Sequence, residues 1–136
     1  MTYLEKRLSE IGEVDALVNF KCNDFNTGKL VTRTLFSSDD NDNLIIHYHG
    51  LHGSPWPYKP TERTSKYYDR VRVKKPKNGA KYLSPKGVGL LPFFPPNTIE
   101  KYRVKEKINT LFVIEGELKS LAASINGIDA IGLGSI

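Results

Sequence analysis

Glu115 and Gly116 close the short apolar run Thr110–Ile114. A carboxylate at the end of such a run can hold Mg²⁺ or move a proton during phosphoryl transfer. The glycine lets the backbone turn tightly beside it and leaves room for a phosphate or nucleotide. The plainer alternative is an acid that complements a helix dipole, and for Glu117, one residue into the next element, that alternative is the stronger. A second constellation is basic. Lys66, Arg70, Arg72, Lys74, Lys75, Lys77, Lys81 and Lys86 fall within 21 residues, opposed by Asp69 alone and interleaved with Tyr67, Tyr68 and Tyr82. Cations neutralise phosphates and tyrosines stack on unpaired bases, so the pattern suits single-stranded nucleic acid. A solvated strand face with a lysine-rich loop would read the same way.

Other chemistry-bearing residues give less. His47, His49, His52 and Cys22 carry metal-binding atoms, but no Cys-x-x-Cys or His-x-x-x-His spacing accompanies them, so they read as ordinary exposed or hydrogen-bonded side chains. Lys81–Gly87 can bring two lysines and a hydroxyl to a nucleotide or to a DNA backbone, yet it lacks the Gly-x-x-x-x-Gly-Lys spacing of a Walker loop. Gly132-Leu133-Gly134 reads as a strand-to-helix turn with amides that can face a phosphate. Trp56, among prolines, reads as a packing anchor.

The elements that must position these groups follow from periodicity. Thr2 with Glu5 forms a capping-box pattern, Leu4, Leu8 and Ile11 make one stripe, and Gly12 can end a helix over 2–12. Val18, Phe20 and Cys22 alternate with polar residues, and Leu30–Phe36, Leu44–His49 and Tyr67–Lys74 read as strands. In the last of these Val71 and Val73 take one face and Arg70, Arg72 and Lys74 the other. Residues 82–96 are too rich in proline and glycine for a regular central element, although Leu90, Leu91, Phe93 and Phe94 call for burial. A brief charged helix fits 98–107. Leu111–Ile114 suits a strand buried on both faces, Leu118, Leu121, Ala122 and Ile125 have helical spacing, Asn126-Gly127 is a helix stop, and Ile128–Leu133 is the next strand. Such a β-α-β unit should place its two strands parallel with a right-handed crossover, and Glu115 at the carboxyl edge where ligands bind in open α/β sheets.

The totals bound the class. The chain has 136 residues, 39% hydrophobic and 26% charged, which is enough for a core and argues against wholesale disorder. A formal charge of +5 favours acidic partners such as nucleic acid. One cysteine excludes an internal disulfide and suits a reducing compartment; Met1–Arg7 has no signal-peptide apolar core, and no run approaches the ~18 apolar residues of a membrane helix. The expected location is the cytoplasm, with no membrane partner.

Val113–Glu117, the helical pattern after it, and Gly127–Gly134 resemble the opening of the Toprim domain, shared by bacterial-type DNA primases, type IA and II topoisomerases and related nucleases. Upstream, Tyr68–Val73, Asn78–Gly87 and Pro92–Pro96 look like the segment that precedes Toprim in primase-like replication proteins of phages, plasmids and conjugative elements. The resemblance covers most of residues 44–136. It implies an α+β chain in which a mostly antiparallel, β-rich region with an N-terminal helix (1–97) precedes the first β-α-β unit of a Rossmann-like Toprim fold (98–136), left incomplete. It also implies that Glu115 and Gly116 match the Toprim Glu-Gly pair, with Glu115 as general acid/base and part of a Mg²⁺ site. Arg70, Arg72, Lys74, Lys75, Lys81 and Lys86 would guide single-stranded DNA or a nucleotide.

Two departures qualify the match. Lys119 stands where the family carries an Asp, and the Asp-x-Asp pair that holds Mg²⁺ would lie on a later strand; Asp129, near the start of the second strand, cannot replace it. The expectation is a Mg²⁺-dependent nucleotidyltransferase within a longer protein bearing downstream Toprim or helicase-like domains, this chain alone being inactive. The alternatives are a non-enzymatic nucleic-acid-binding module with a vestigial Toprim motif, and a fragment that pairs with a relative through an open sheet edge.

Overall fold

The computed structural model describes residues 2–12, 19–24, 27–58, 66–85 and 89–134, with the side chains of 57, 58 and 66 excepted. Expectations that rest on Val18, Lys86 or residues 60–65 lie outside that set. In chain order the elements are α1 (Tyr3–Ser9), β1 (Asn19–Asn23), β2 (Leu30–Thr34), β3 (Phe36–Ser38), β4 (Leu44–His47), β5 (Pro57–Tyr58), β6 (Lys66–Tyr67), β7 (Asp69–Arg72), β8 (Tyr82–Leu83), β9 (Pro92–Phe93), α2 (Pro96–Arg103), β10 (Phe112–Glu115), α3 (Glu117–Ile125) and β11 (Ala130–Leu133). The chain is therefore mixed α+β. Among the described residues no helix is long and apolar enough to cross a membrane.

Two compact units are interleaved in sequence. One comprises Met1–Phe20, Thr32–Tyr48 and Pro55–Val88, the other Lys21–Val31, His49–Ser54 and Gly89–Ile136. The second unit thus includes β9 and two upstream segments, Lys21–Val31 and His49–Ser54.

The first unit is built on a four-stranded sheet in the order β3-β4-β7-β8, every neighbour antiparallel. The Asp39–Asn43 turn joins β3 to β4: Asp39 accepts from the Asn41 and Asn43 amides, and Asp42 takes a positive φ of 61°. One face of the sheet holds Phe36, Leu44 and Ile46, all buried. Helix α1 packs against β3 and buries Leu8, and its start carries the capping box read from the sequence, with Glu5 N–H on Thr2 and Thr2 N–H on Glu5.

Register decides the fate of the arginines. Ile46 pairs with Arg70 and Leu44 with Arg72, so both arginines lie on the face of the buried apolar residues, while Val71 sits opposite Ile45 on the more open face. Arg70 is only 5% exposed. The alternation expected over Tyr67–Lys74 is present, but the side buried is the arginine side. The sequence Leu44-Ile-Ile-His47 is apolar on both faces, so nothing in it fixed which parity would turn inward.

The second unit contains the sheet β10-β11-β9. Strands β10 and β11 run parallel, Phe112 beside Ala130 through Glu115 beside Leu133, and β9 joins β11 antiparallel. Helix α3 connects the parallel pair, burying Leu118, Leu121, Ser120 and Ser124. It ends at Gly127, whose φ of 84° suits the glycine stop read from the sequence. Helix α2 starts on Pro96 and contributes Ile99 and Thr98, whose hydroxyl donates to Ala130 O at 2.8 Å.

Two expectations for this unit are corrected. Strand β10 is not buried on both faces: it is the sheet's edge, and Leu111, Phe112 and Val113 are 45%, 53% and 55% exposed. The cause is the placement of α3, which lies mainly over β11, leaving the outer strand half covered. Gly132 is not part of a phosphate-facing turn either. It lies inside β11, where an added Cβ would stand 2.6 Å from Ser120 Oγ and 3.1 Å from Gly116 O, so it serves close helix-on-strand packing. Of the aromatics and leucines in 90–94, Phe93 is fully buried but Leu90 is half exposed.

Candidate metal and nucleic-acid site

Glu115 is the last residue of β10, at the carboxyl end of the parallel pair, and its side chain is exposed. Gly116 follows at φ 101° and ψ 138°, a conformation essentially confined to glycine, and its N–H donates to Leu133 O at 2.6 Å. An added Cβ would meet only Lys119 side-chain atoms at 3.8–3.9 Å, so the glycine is required by dihedral angle rather than by space. Its carbonyl accepts the first helical bond, from Ser120 N–H, which makes Gly116 the N-cap of α3. The strand thus stops, turns and becomes a helix within one residue, leaving Glu115 at the rim.

Glu117 behaves differently from a surface dipole acid: it is 1% exposed, in the first turn of α3. Lys119 is exposed on the same helix. Asp129, at the opposite end of the parallel pair, is bound to Lys101 Nζ, whose ammonium is held above its ordinary value by that hydrogen bond. Asp129 and Glu115 are therefore separated along the pair, as the sequence reading required. Among the described residues no group of three histidine, cysteine, aspartate or glutamate side chains is gathered for a metal ion. What the arrangement offers is one hard, solvent-facing oxygen ligand beside a helix N-terminus.

The basic residues belong to the first unit and fall into two groups. Arg70 Nε donates to Ser84 Oγ at 3.0 Å, and its guanidinium lies 4.5 Å from the Tyr82 ring centroid. Arg72 lies 5.1 Å from the same ring. Both arginines thus share one aromatic partner, an arrangement worth about 0.5–1 kcal/mol per contact at exposed sites and about 2 kcal/mol where desolvated. Tyr68 is fully buried, edge-on to Tyr48 at 4.8 Å, so of the three interleaved tyrosines only Tyr67 offers a largely open ring.

The lysines are the exposed group. Lys74 Nζ binds Asp42 at 2.9 Å, which holds the Asp42 carboxyl below its ordinary value, and Lys75, Lys77 and Lys81 are exposed. Lys74, Lys75 and Lys77 line an open concavity of about 510 Å³ with Asn41, Asn43 and Leu83. Lys86 lies outside the described residues.

Sequence reasoning passed over one cluster. Of the two readings open for His47, exposed or hydrogen-bonded, the second holds, and it is bonded to a serine and an aspartate at once: Ser37 Oγ at 2.7 Å and Asp69 Oδ1 at 3.0 Å. The three residues come from three strands, and only the cross-strand register, absent from the sequence, brings them together. Comparison with protein-family models, curated proteins and solved structures finds no match.

Proposed function

We propose that the chain is the amino-terminal part of a Toprim-containing, primase-like replication protein of a mobile element or phage, located in the cytoplasm. One observation carries the proposal: an exposed glutamate at the carboxyl end of a parallel β-α-β unit, followed by a glycine at φ 101°. That geometry supports the reading because it places a carboxylate at the edge where open α/β sheets take ligands. Mg²⁺ is commonly bound by one or two carboxylates plus substrate phosphates and water, and Glu115 fits as one such ligand. When bound, the ion would supply charge neutralisation at a phosphoryl group, and Glu115 would in addition hold or accept a proton at its carboxylate oxygens. Further carboxylates of a longer protein complete the set. The exposed lysines 75, 77 and 81 support the same reading as the surface that meets a template strand or nucleotide, Lys74 being bound to Asp42.

The test uses a protein extended beyond this chain, assayed for template-directed primer synthesis from nucleoside triphosphates with Mg²⁺. Glu115→Gln is expected to lower the rate by about 10²–10⁴-fold, the range for a positioned acid/base group, while leaving single-stranded DNA affinity unchanged. DNA binding without synthesis in any extended form, and no effect of Glu115→Gln, would convert the reading to a non-enzymatic binding module.

A further inference from the structure

Ser37, His47 and Asp69 lie on β3, β4 and β7, three consecutive strands of the first unit's sheet. His47 stands directly opposite Asp69, and Ser37 opposite Ile45, two residues before His47, so alternation puts all three on one face. His47 Nδ1 is 3.0 Å from Asp69 Oδ1 and Nε2 is 2.7 Å from Ser37 Oγ. A carboxylate has no proton to give, so the proton lies on Nδ1, which donates to Asp69. In the neutral ring Nε2 then carries the lone pair, and the Ser37 hydroxyl donates to it. This is the order of contacts that activates a serine nucleophile: hydroxyl to imidazole base, imidazole to orienting carboxylate. The His47 and Asp69 side chains are 26% and 35% exposed, half-buried yet reachable.

The residue after the hydroxyl, Ser38, has a backbone N–H that the β3–β4 ladder does not use. The β3–β4 ladder uses His47 N–H to Leu35 O and Asp39 N–H to Asn43 O, so the backbone groups of residues 35, 37 and 39 turn toward β4. Those of Phe36 and Ser38 turn the other way, and β3 is the end strand of the sheet. The Ser38 N–H, immediately after the hydroxyl, is therefore directed outward at the edge. The same face continues from the triad as an apolar row, Ile45 beside Val71 and Val71 beside Leu83, the last 53% exposed.

We infer that Ser37, His47 and Asp69 form a hydrolytic site for esters of short aliphatic acyl groups, the acyl chain lying along Ile45 and Val71. Ser37 Oγ attacks the carbonyl carbon while His47 Nε2 takes its proton. The bond to the leaving alcohol breaks, and the alcohol departs with that proton. Water repeats the sequence on the acyl-serine, releasing the carboxylic acid and restoring the hydroxyl; no oxidant or reductant enters. The inference rests on neither Glu115 nor the lysine loop and stands apart from the replication reading.

The experiment uses the whole chain with p-nitrophenyl acetate and butyrate, and separately a fluorophosphonate probe followed by peptide mapping. Expected are hydrolysis above buffer, probe attached to Ser37, loss of both in Ser37→Ala, and a drop of about 100-fold or more in His47→Gln. Circular dichroism on each variant separates loss of chemistry from loss of fold. Ser37→Cys keeps a nucleophile in place, and its alkylation by iodoacetamide should slow when His47→Gln is added. A folded chain that hydrolyses neither ester, takes no probe at Ser37, or hydrolyses equally well as Ser37→Ala overturns the inference, leaving the three residues a cross-strand polar ladder.

Discussion

At the scale of single residues, two glycines of the second unit are required for different reasons, and substitution separates them. Gly116→Ala forces a side chain into φ 101°, which costs about 1–3 kcal/mol of backbone strain, although the space around it is open. Gly132→Ala adopts an ordinary dihedral but drives a Cβ against Ser120 Oγ and the Gly116 carbonyl, an overpacking cost of about 1–3 kcal/mol. Removing the hydroxyl in a Gly132→Ala/Ser120→Ala double variant should recover part of the second loss. Ser120→Ala recovers nothing in the Gly116→Ala background. Urea unfolding of the four variants checks both statements. The stop of β10 at Glu115-Gly116 was legible in the sequence because an acid and a glycine break the apolar run there. Gly132 was misread because its neighbour in space, Ser120, lies twelve residues away on a helix whose rotation the pattern does not fix.

At the scale of elements, the β-α-β unit was readable from period alone, and its burial was not. Four apolar residues in a row predict a strand covered on both sides, but coverage depends on where α3 lies, and it lies over β11. Stability should follow the cover rather than the hydrophobicity. Leu121→Ala, fully buried in α3, is expected to cost about 2–5 kcal/mol, whereas Val113→Thr on the exposed strand should stay within about 0.5 kcal/mol. The β3–β4 turn makes a pH prediction of defined sign. The hydrogen bonds from Asn43 to Asp39, and the bond from Lys74 to Asp42, hold both carboxyls below their ordinary values. Their contribution is therefore complete above the unfolded aspartate value of about 3.9 and is lost as pH falls through the folded values. Thermal unfolding between pH 6 and 2 should show the midpoint falling on that limb. Asp39→Asn should flatten the fall while leaving the neutral-pH side of the curve level.

At the scale of the whole molecule, a formal charge of +5 says only that an anion is welcome. The structure divides the cations by what they already touch. Arg70 lies under the sheet with Ser84 and Tyr82, so it is occupied by the fold, whereas Lys75, Lys77 and Lys81 are exposed. The sequence showed a basic stretch of the right length but could not sort it, since the parity of β4 was ambiguous and the arginines followed that parity inward. Sorting the cations turns the charge into a measurement. If the three lysines each neutralise one phosphate of a single strand, log K against log salt should have a slope of about −2, at roughly 0.7 per contact. Fluorescence anisotropy with an oligothymidine across a salt series reads that slope directly. Lys75→Gln/Lys77→Gln should bring it to about −0.7 with the unfolding midpoint unmoved. Arg70→Gln should do the reverse, lowering stability by about 1–3 kcal/mol through a buried polar group that loses its charge-assisted bond, while the slope stays near −2. A slope that collapses with Arg70→Gln in the folded protein would mean that the buried guanidinium comes out to meet the strand. The lysine loop would then not be the contact surface.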